Sequence, residues 1–102
     1  MSIKKQFLKT RPICKVTFRL SKEDARNADS VHIIGEFNNW NKLNMPMKKL
    51  KNGSFSITLD LEKSNEYQFR YLIDEQTWIN DSEADKSVPS GFSGSHNFVV
   101  SV

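Results

Sequence analysis

Along this chain apolar side chains recur mainly at every second position, the period of half-buried strands. Cys14, Val16, Phe18 and Leu20 alternate with Lys15, Thr17 and Arg19. Val31 to Phe37 reads as a more buried strand. It ends at Asn38-Asn39, which predict a turn because Asn tolerates left-handed backbone. Met47 to Leu50 is a short edge segment after Pro46. Lys51-Asn52-Gly53-Ser54 predicts a hairpin, with Asn-Gly suited to a type I′ turn. The cleanest alternation follows, with Phe55, Ile57, Leu59 and Leu61 on one face and Ser54, Ser56, Thr58 and Asp60 on the other. Glu62 to Asn65 is a turn. Tyr67, Phe69, Tyr71 and Ile73 then oppose Gln68, Arg70, Leu72 and Asp74.

A short strand is expected around Thr77 to Asn80, a long polar loop from Asp81 to Ser95, and a final strand from Asn97 to Val102. Ser21 to Asp29 fits one helical turn or a loop. No longer helix and no internal repeat is present. About seven short strands with frequent turns predict an all-β, antiparallel sandwich of immunoglobulin-like type. A small oligonucleotide-binding barrel is the structural alternative.

The chain has 102 residues, enough for one ordinary domain and too few for a barrel enzyme. Its net charge of +3 invites a polyanion partner, but the charge is uneven. Seven of the 15 basic residues lie in residues 1–22, which hold no acid; the other eight face all 12 acids from Glu23 onward, a net of −4. We therefore divide the chain into a basic N-terminal segment, 1–12, read as a docking arm or solvated tail, and a sandwich, 13–102. No nucleic-acid partner is expected. The single cysteine, Cys14, lies on an apolar strand face and reads as a small core residue. The N-terminus lacks the apolar stretch of a signal peptide, and no run reaches the ~20 residues of a membrane span. A cytoplasmic location with no membrane partner is the expectation.

No catalytic constellation stands out. The acids lie in turns or on wet faces, His32 and His96 are far apart, and no Cys or His has zinc-ligand spacing. No serine sits in a nucleophile elbow and no glycine set cradles a phosphate. The expectation is a protein without cofactor, metal or catalytic residues.

The two tryptophans are more informative. Trp40 follows a strand end beside a polar turn, and Trp78 follows a hairpin turn. Each is either a cap on the core or an exposed platform. Register decides for Trp78. A two-residue turn, Glu75-Gln76, places it opposite Ile73 on the core face. A three-residue turn, Glu75 to Thr77, pairs it with Asp74 and puts it on the wet face with Arg70. Exposed indoles near Asn and Arg suit a pyranose, whose C–H face stacks on the ring while amides and guanidinium bond its hydroxyls. The same groups also stack bases of single-stranded nucleic acid.

The run Gly35-Glu36-Phe37-Asn38-Asn39-Trp40, with Tyr67 to Asp74, Trp78 and Asn80-Asp81, resembles carbohydrate-binding modules of family 48, the glycogen-binding, isoamylase N-terminal (early set) type. The likeness covers roughly Cys14 to Val102. It implies an immunoglobulin-like sandwich that binds α-1,4-glucan without cleaving it. It also implies a glucan-metabolising enzyme, a glycoside hydrolase or branching enzyme, as associated partner. Carried over residue by residue, Trp40 stacks on glucose, Arg70 bonds hydroxyls, and Trp78 takes its wet-face register. Asn80 joins the set, and His96 or Asn97 supplies the polar group before the last strand. Arg70 stands where Lys is familiar, the turn after Asp74 lacks the common Gly, and the loop from Lys86 to Ser95, with Val88 or Phe92 as a candidate finger, aligns poorly. The alternative reading is a structural or protein-interaction domain of the same fold that has lost sugar binding.

Overall fold

The computed structural model describes residues 2–41, 45–79, 84–89 and 96–102. Nine strands, β1 (Ser2–Phe7), β2 (Ile13–Leu20), β3 (Val31–Gly35), β4 (Lys48–Lys49), β5 (Phe55–Glu62), β6 (Glu66–Ile73), β7 (Thr77–Ile79), β8 (Lys86–Pro89) and β9 (His96–Ser101), form two sheets. One runs β1-β2-β5-β4, the other β3-β6-β9-β8, and β7 pairs with β6 beyond the end of β9. Every pairing is antiparallel. The predicted antiparallel sandwich is thus the architecture, and the only helical element among the described residues is a 3-10 turn, Glu36–Asn38.

The alternation sets the core. Cys14, Val16, Phe18 and Leu20 of β2 are fully buried against Phe69, Tyr71 and Ile73 of β6, with Val31, Ile33, Phe55 and Val100. Phe18 meets Phe69 edge-on at 5.2 Å between centroids, and Phe69 meets Tyr71 at 5.6 Å. Such tilted pairs contribute about 0.5–1.5 kcal/mol beyond area burial.

Three local expectations are corrected. Residues 2–7 are not a tail but strand β1, paired with β2 over its whole length. Its inward positions are Ile3, Lys5 and Phe7, and the central lysine hides the alternation. The Lys5 ammonium instead crosses to Asp85 of the other sheet at 2.7 Å. Within the expected 81–95 loop, Lys86–Pro89 forms β8, an edge strand on β9. An edge strand tolerates Pro89 and needs few apolar residues, so it leaves little periodicity. The Asn52-Gly53 hairpin forms, but only Gly53 has positive φ (87°), and Leu50 N–H bonds Ser54 O. The loop is the three-residue kind, with glycine in the left-handed position, rather than type I′. Residues 21–28 form turns capped by the Ser21 hydroxyl, which accepts from Asp24 N–H at 3.0 Å.

Candidate functional site

The hairpin between β6 and β7 resolves the register of Trp78. Ile73 pairs with Thr77 and Leu72 with Trp78, so the loop is Asp74-Glu75-Gln76. Trp78 lies on the outward face with Arg70, as the three-residue alternative expects, but it pairs with Leu72 rather than Asp74. Asp74 and Glu75 have φ of 51° and 60°, the two left-handed positions of a type I′ turn, and Gln76 N–H bonds Ile73 O at 3.0 Å. The Asp74 carboxylate accepts from Asp29 N–H and Ser30 N–H, at 2.8 and 3.0 Å, and so ties the hairpin to the start of β3.

Outward residues of this sheet fall into rows across the strands. One row is His32, Leu72 and Trp78; the next is Ile34 and Arg70, with Asn97 and Val88 one step past the β6–β9 ladder; a third is Gln68, Val99 and Lys86. The Arg70 guanidinium lies 5.5 Å from the Trp78 ring centroid, within cation–π range. The Asn97 amide donates to Gln68 Oε1 at 3.1 Å. Ile34, Leu72 and Val99 share this outward face yet are buried, so the polar groups stand on an apolar floor. His32 is part of that floor; its Nδ1 is buried without a hydrogen-bond partner.

Trp40 is placed by a different device on the other flank of β6. Gly35 is extended, and a Cβ there would sit 2.3 Å from Gln68 O, so only glycine lets the turn press against β6. Glu36 Oε1 accepts from Gln68 N–H at 2.6 Å. Asn38 is buried, accepts from Gly35 N–H at 3.0 Å, and donates to Ile33 O and Asn41 O. Asn39 and Trp40 both take positive φ, and Trp40 N–H bonds Gly35 O at 2.9 Å. The indole is 39% exposed, one of two large exposed apolar side chains among the described residues.

The register brings Arg70, Trp78 and Asn97 onto one sheet face, while Trp40 is held by the turn that follows β3. His96 occupies the opposite side of β9 from Asn97 and pairs with Pro89. Asn80 and Phe92 lie outside the described residues. Gln68 escaped the sequence reading, although its alternation with Arg70 places it on the same face. Among the described residues no group of three or more His, Cys, Asp or Glu is placed to share a metal ion. Among the described residues no helix is long and apolar enough to cross a membrane.

Two antiparallel sheets with this connectivity define an immunoglobulin-like β-sandwich module. More narrowly, the chain belongs to the family described as the glycogen recognition site of AMP-activated protein kinase, whose model matches residues 20–102. The match begins at the last residue of β2. No curated protein matches the chain.

Proposed function

We propose that this module binds α-1,4-glucan, as in glycogen, without cleaving it. The observation that carries the reading is the Trp78–Arg70 pair, held on the outward face of a rigid sheet inside a family named for glycogen recognition. In this reading Trp78 stacks on the C–H face of one glucose and Trp40 on another. Arg70 and the Asn97–Gln68 amide pair take the hydroxyls, and Asn80, outside the described residues, joins the set as the resemblance implies. His96, on the other side of its strand, is left out of the set. A fixed sheet register orders these groups before binding, which lowers the entropy lost on association. A cytoplasmic setting and an associated glucan-metabolising enzyme follow from this reading.

Isothermal titration with maltoheptaose tests it. The expected result is saturable binding with a Kd between about 1 μM and 1 mM. Folded protein with no heat of binding at millimolar ligand would overturn it and leave a structural or protein-interaction role.

A further inference from the structure

The other sheet presents a second outward face with different chemistry. Its outward residues include Ser2 and Lys4 of β1, Thr17 and Arg19 of β2, Ser56 and Thr58 of β5, and Lys48 of β4. Arg19 sits between Ser2 on one side and Ser56 on the other, and Ser56 in turn pairs with Lys48. Along the chain the flanking side chains are Thr17 of β2 and Ser21 just past its end. The guanidinium is thus surrounded by small hydroxylated residues. Among the described residues it has no ion pair and no hydrogen-bond partner. The face's own ion pair, Lys15 to Asp60 at 3.5 Å, lies at the far end. An opposite charge directly across the strand would stabilise Arg19, and its two cross-strand neighbours are Ser2 and Ser56 instead.

Space is provided beside Arg19. Two hollows share Arg19 as a wall. One, of about 400 Å³, is bounded by Lys48, Ser56, Thr58 and the apolar edge of Pro46 and Leu50. The other, of about 250 Å³, is bounded by Ser2, Ser21, Asn52 and Ser54. The planar guanidinium fork matches two oxygens of a phosphate, and an ammonium adds a point charge. Both hollows are shallow and open to solvent, and the hydroxyls of Ser56 and Thr58 at the larger one offer partners to a hydroxylated ring. Neither hollow has an aromatic lining residue, so a base has nothing to stack on.

We propose that the Arg19 hollows form a second binding site, for a phosphorylated sugar. Arg19 holds the phosphate monoester, Lys48 adds charge, and the Ser56–Thr58 side takes the ring. The site lies on the sheet opposite Trp78 and does not depend on the glucan reading.

The test is a two-dimensional amide NMR titration of the full chain with glucose 6-phosphate, glucose and inorganic phosphate, at about 150 mM salt to screen diffuse attraction. Glucose 6-phosphate is expected to shift Arg19, Lys48 and Ser56 with a Kd on the order of 1 mM, leaving the Trp78 indole unmoved. Glucose should leave those signals unmoved, and inorganic phosphate should move them more weakly than the ester. Arg19→Ala should weaken binding at least about tenfold, and Lys48→Ala about threefold, with the rest of the spectrum intact. No shift by about 10 mM ligand overturns the proposal, as does an equal response to inorganic phosphate spread over all exposed lysines, or binding indifferent to Arg19→Ala. Maltoheptaose binding is read separately at Trp78, so failure of either claim leaves the other standing.

Discussion

Arg70 and Trp78 stand on neighbouring antiparallel strands, one diagonal step apart, with the guanidinium carbon 5.5 Å from the indole centroid. The ladder that pairs Leu72 with Trp78 fixes this relationship, so neither side chain needs a flexible loop to find the other. A sugar stacked on this indole meets a cation already in place. We expect Arg70→Ala to weaken maltoheptaose binding at least about tenfold, roughly 1.4 kcal/mol. Arg70→Lys should fall between, because it keeps the charge and loses the planar fork. Calorimetric titration of the three proteins checks the order; equal affinities would remove Arg70 from the site.

Gly35 is required by contact rather than by its backbone angle. Its φ of −172° suits any residue, but an added Cβ would meet Gln68 O at 2.3 Å and Phe69 Cβ at 2.9 Å. Gly35→Ala must therefore push β3 away from β6. We expect a loss of about 1–3 kcal/mol in urea unfolding, with little change in slope. A loss below about 0.5 kcal/mol, the range of ordinary surface changes, would show that the turn yields easily.

Asn38 links stability to the proposed site. Its buried amide ties Gly35, Ile33 and Asn41 together, and Trp40 leaves this bracket two residues on. Asn38→Ala should cost about 1–3 kcal/mol, because it orphans buried main-chain groups. It should also weaken maltoheptaose binding in protein that is still folded. Unchanged affinity beside a clear stability loss would mean that Trp40 adds nothing to the site.

The two sheets are pinned at one side by Lys5 and Asp85, 2.7 Å apart, with Ser101 N–H also donating to that carboxylate. Burial alone would raise the Asp85 pKa, but the Lys5 ammonium and the Ser101 N–H outweigh it and hold the group below its ordinary 3.8. A carboxyl lowered in the folded state stabilises above its unfolded value and loses that contribution as pH falls through the folded one. Stability should therefore drop below about pH 4, and Asp85→Asn should remove part of the drop. The pair is partly exposed, so the effect at neutral pH is about 0.2–1 kcal/mol. Glu66 is also held below its ordinary 4.5, by hydrogen bonds from Lys86 and Ser101, and adds to the loss of stability in acid. The difference between variant and wild type is therefore the readout, and parallel curves from pH 2 to 7 would contradict the role of Asp85.

Much of this was legible from period two alone. Strands β2, β5 and β6 announce themselves because one of their faces is almost wholly apolar. β1 and β8 do not. Each is an edge strand whose pairing needs only backbone, and each carries charge or proline where the alternation should show. Neither hairpin turn follows from its composition. Asn52-Gly53, with the type I′ composition, closes a three-residue loop. Asp74-Glu75, with no glycine, takes both left-handed positions, supported by the bonds from Asp29 and Ser30 to the Asp74 carboxylate. Composition weighs only local preference, and in the second turn tertiary hydrogen bonds outweigh it. The facing of Trp78 depended on that turn, which is why the sequence left it open. Gln68 could have been read from its alternation with Arg70. Asn97 is buried, with its amide on Gln68 Oε1 of the neighbouring strand, and that depends on a strand pairing the local sequence does not show.

The central claim is that glucan binds the outward face of the β3-β6-β9-β8 sheet. The most direct measurement is an amide and indole NMR titration with maltoheptaose. The account predicts saturable shifts at the Trp78 and Trp40 indoles, Arg70, Gln68 and Asn97, with Thr17, Arg19 and Thr58 on the other sheet unmoved. Shifts confined to the other sheet, or none in folded protein at millimolar ligand, would contradict it.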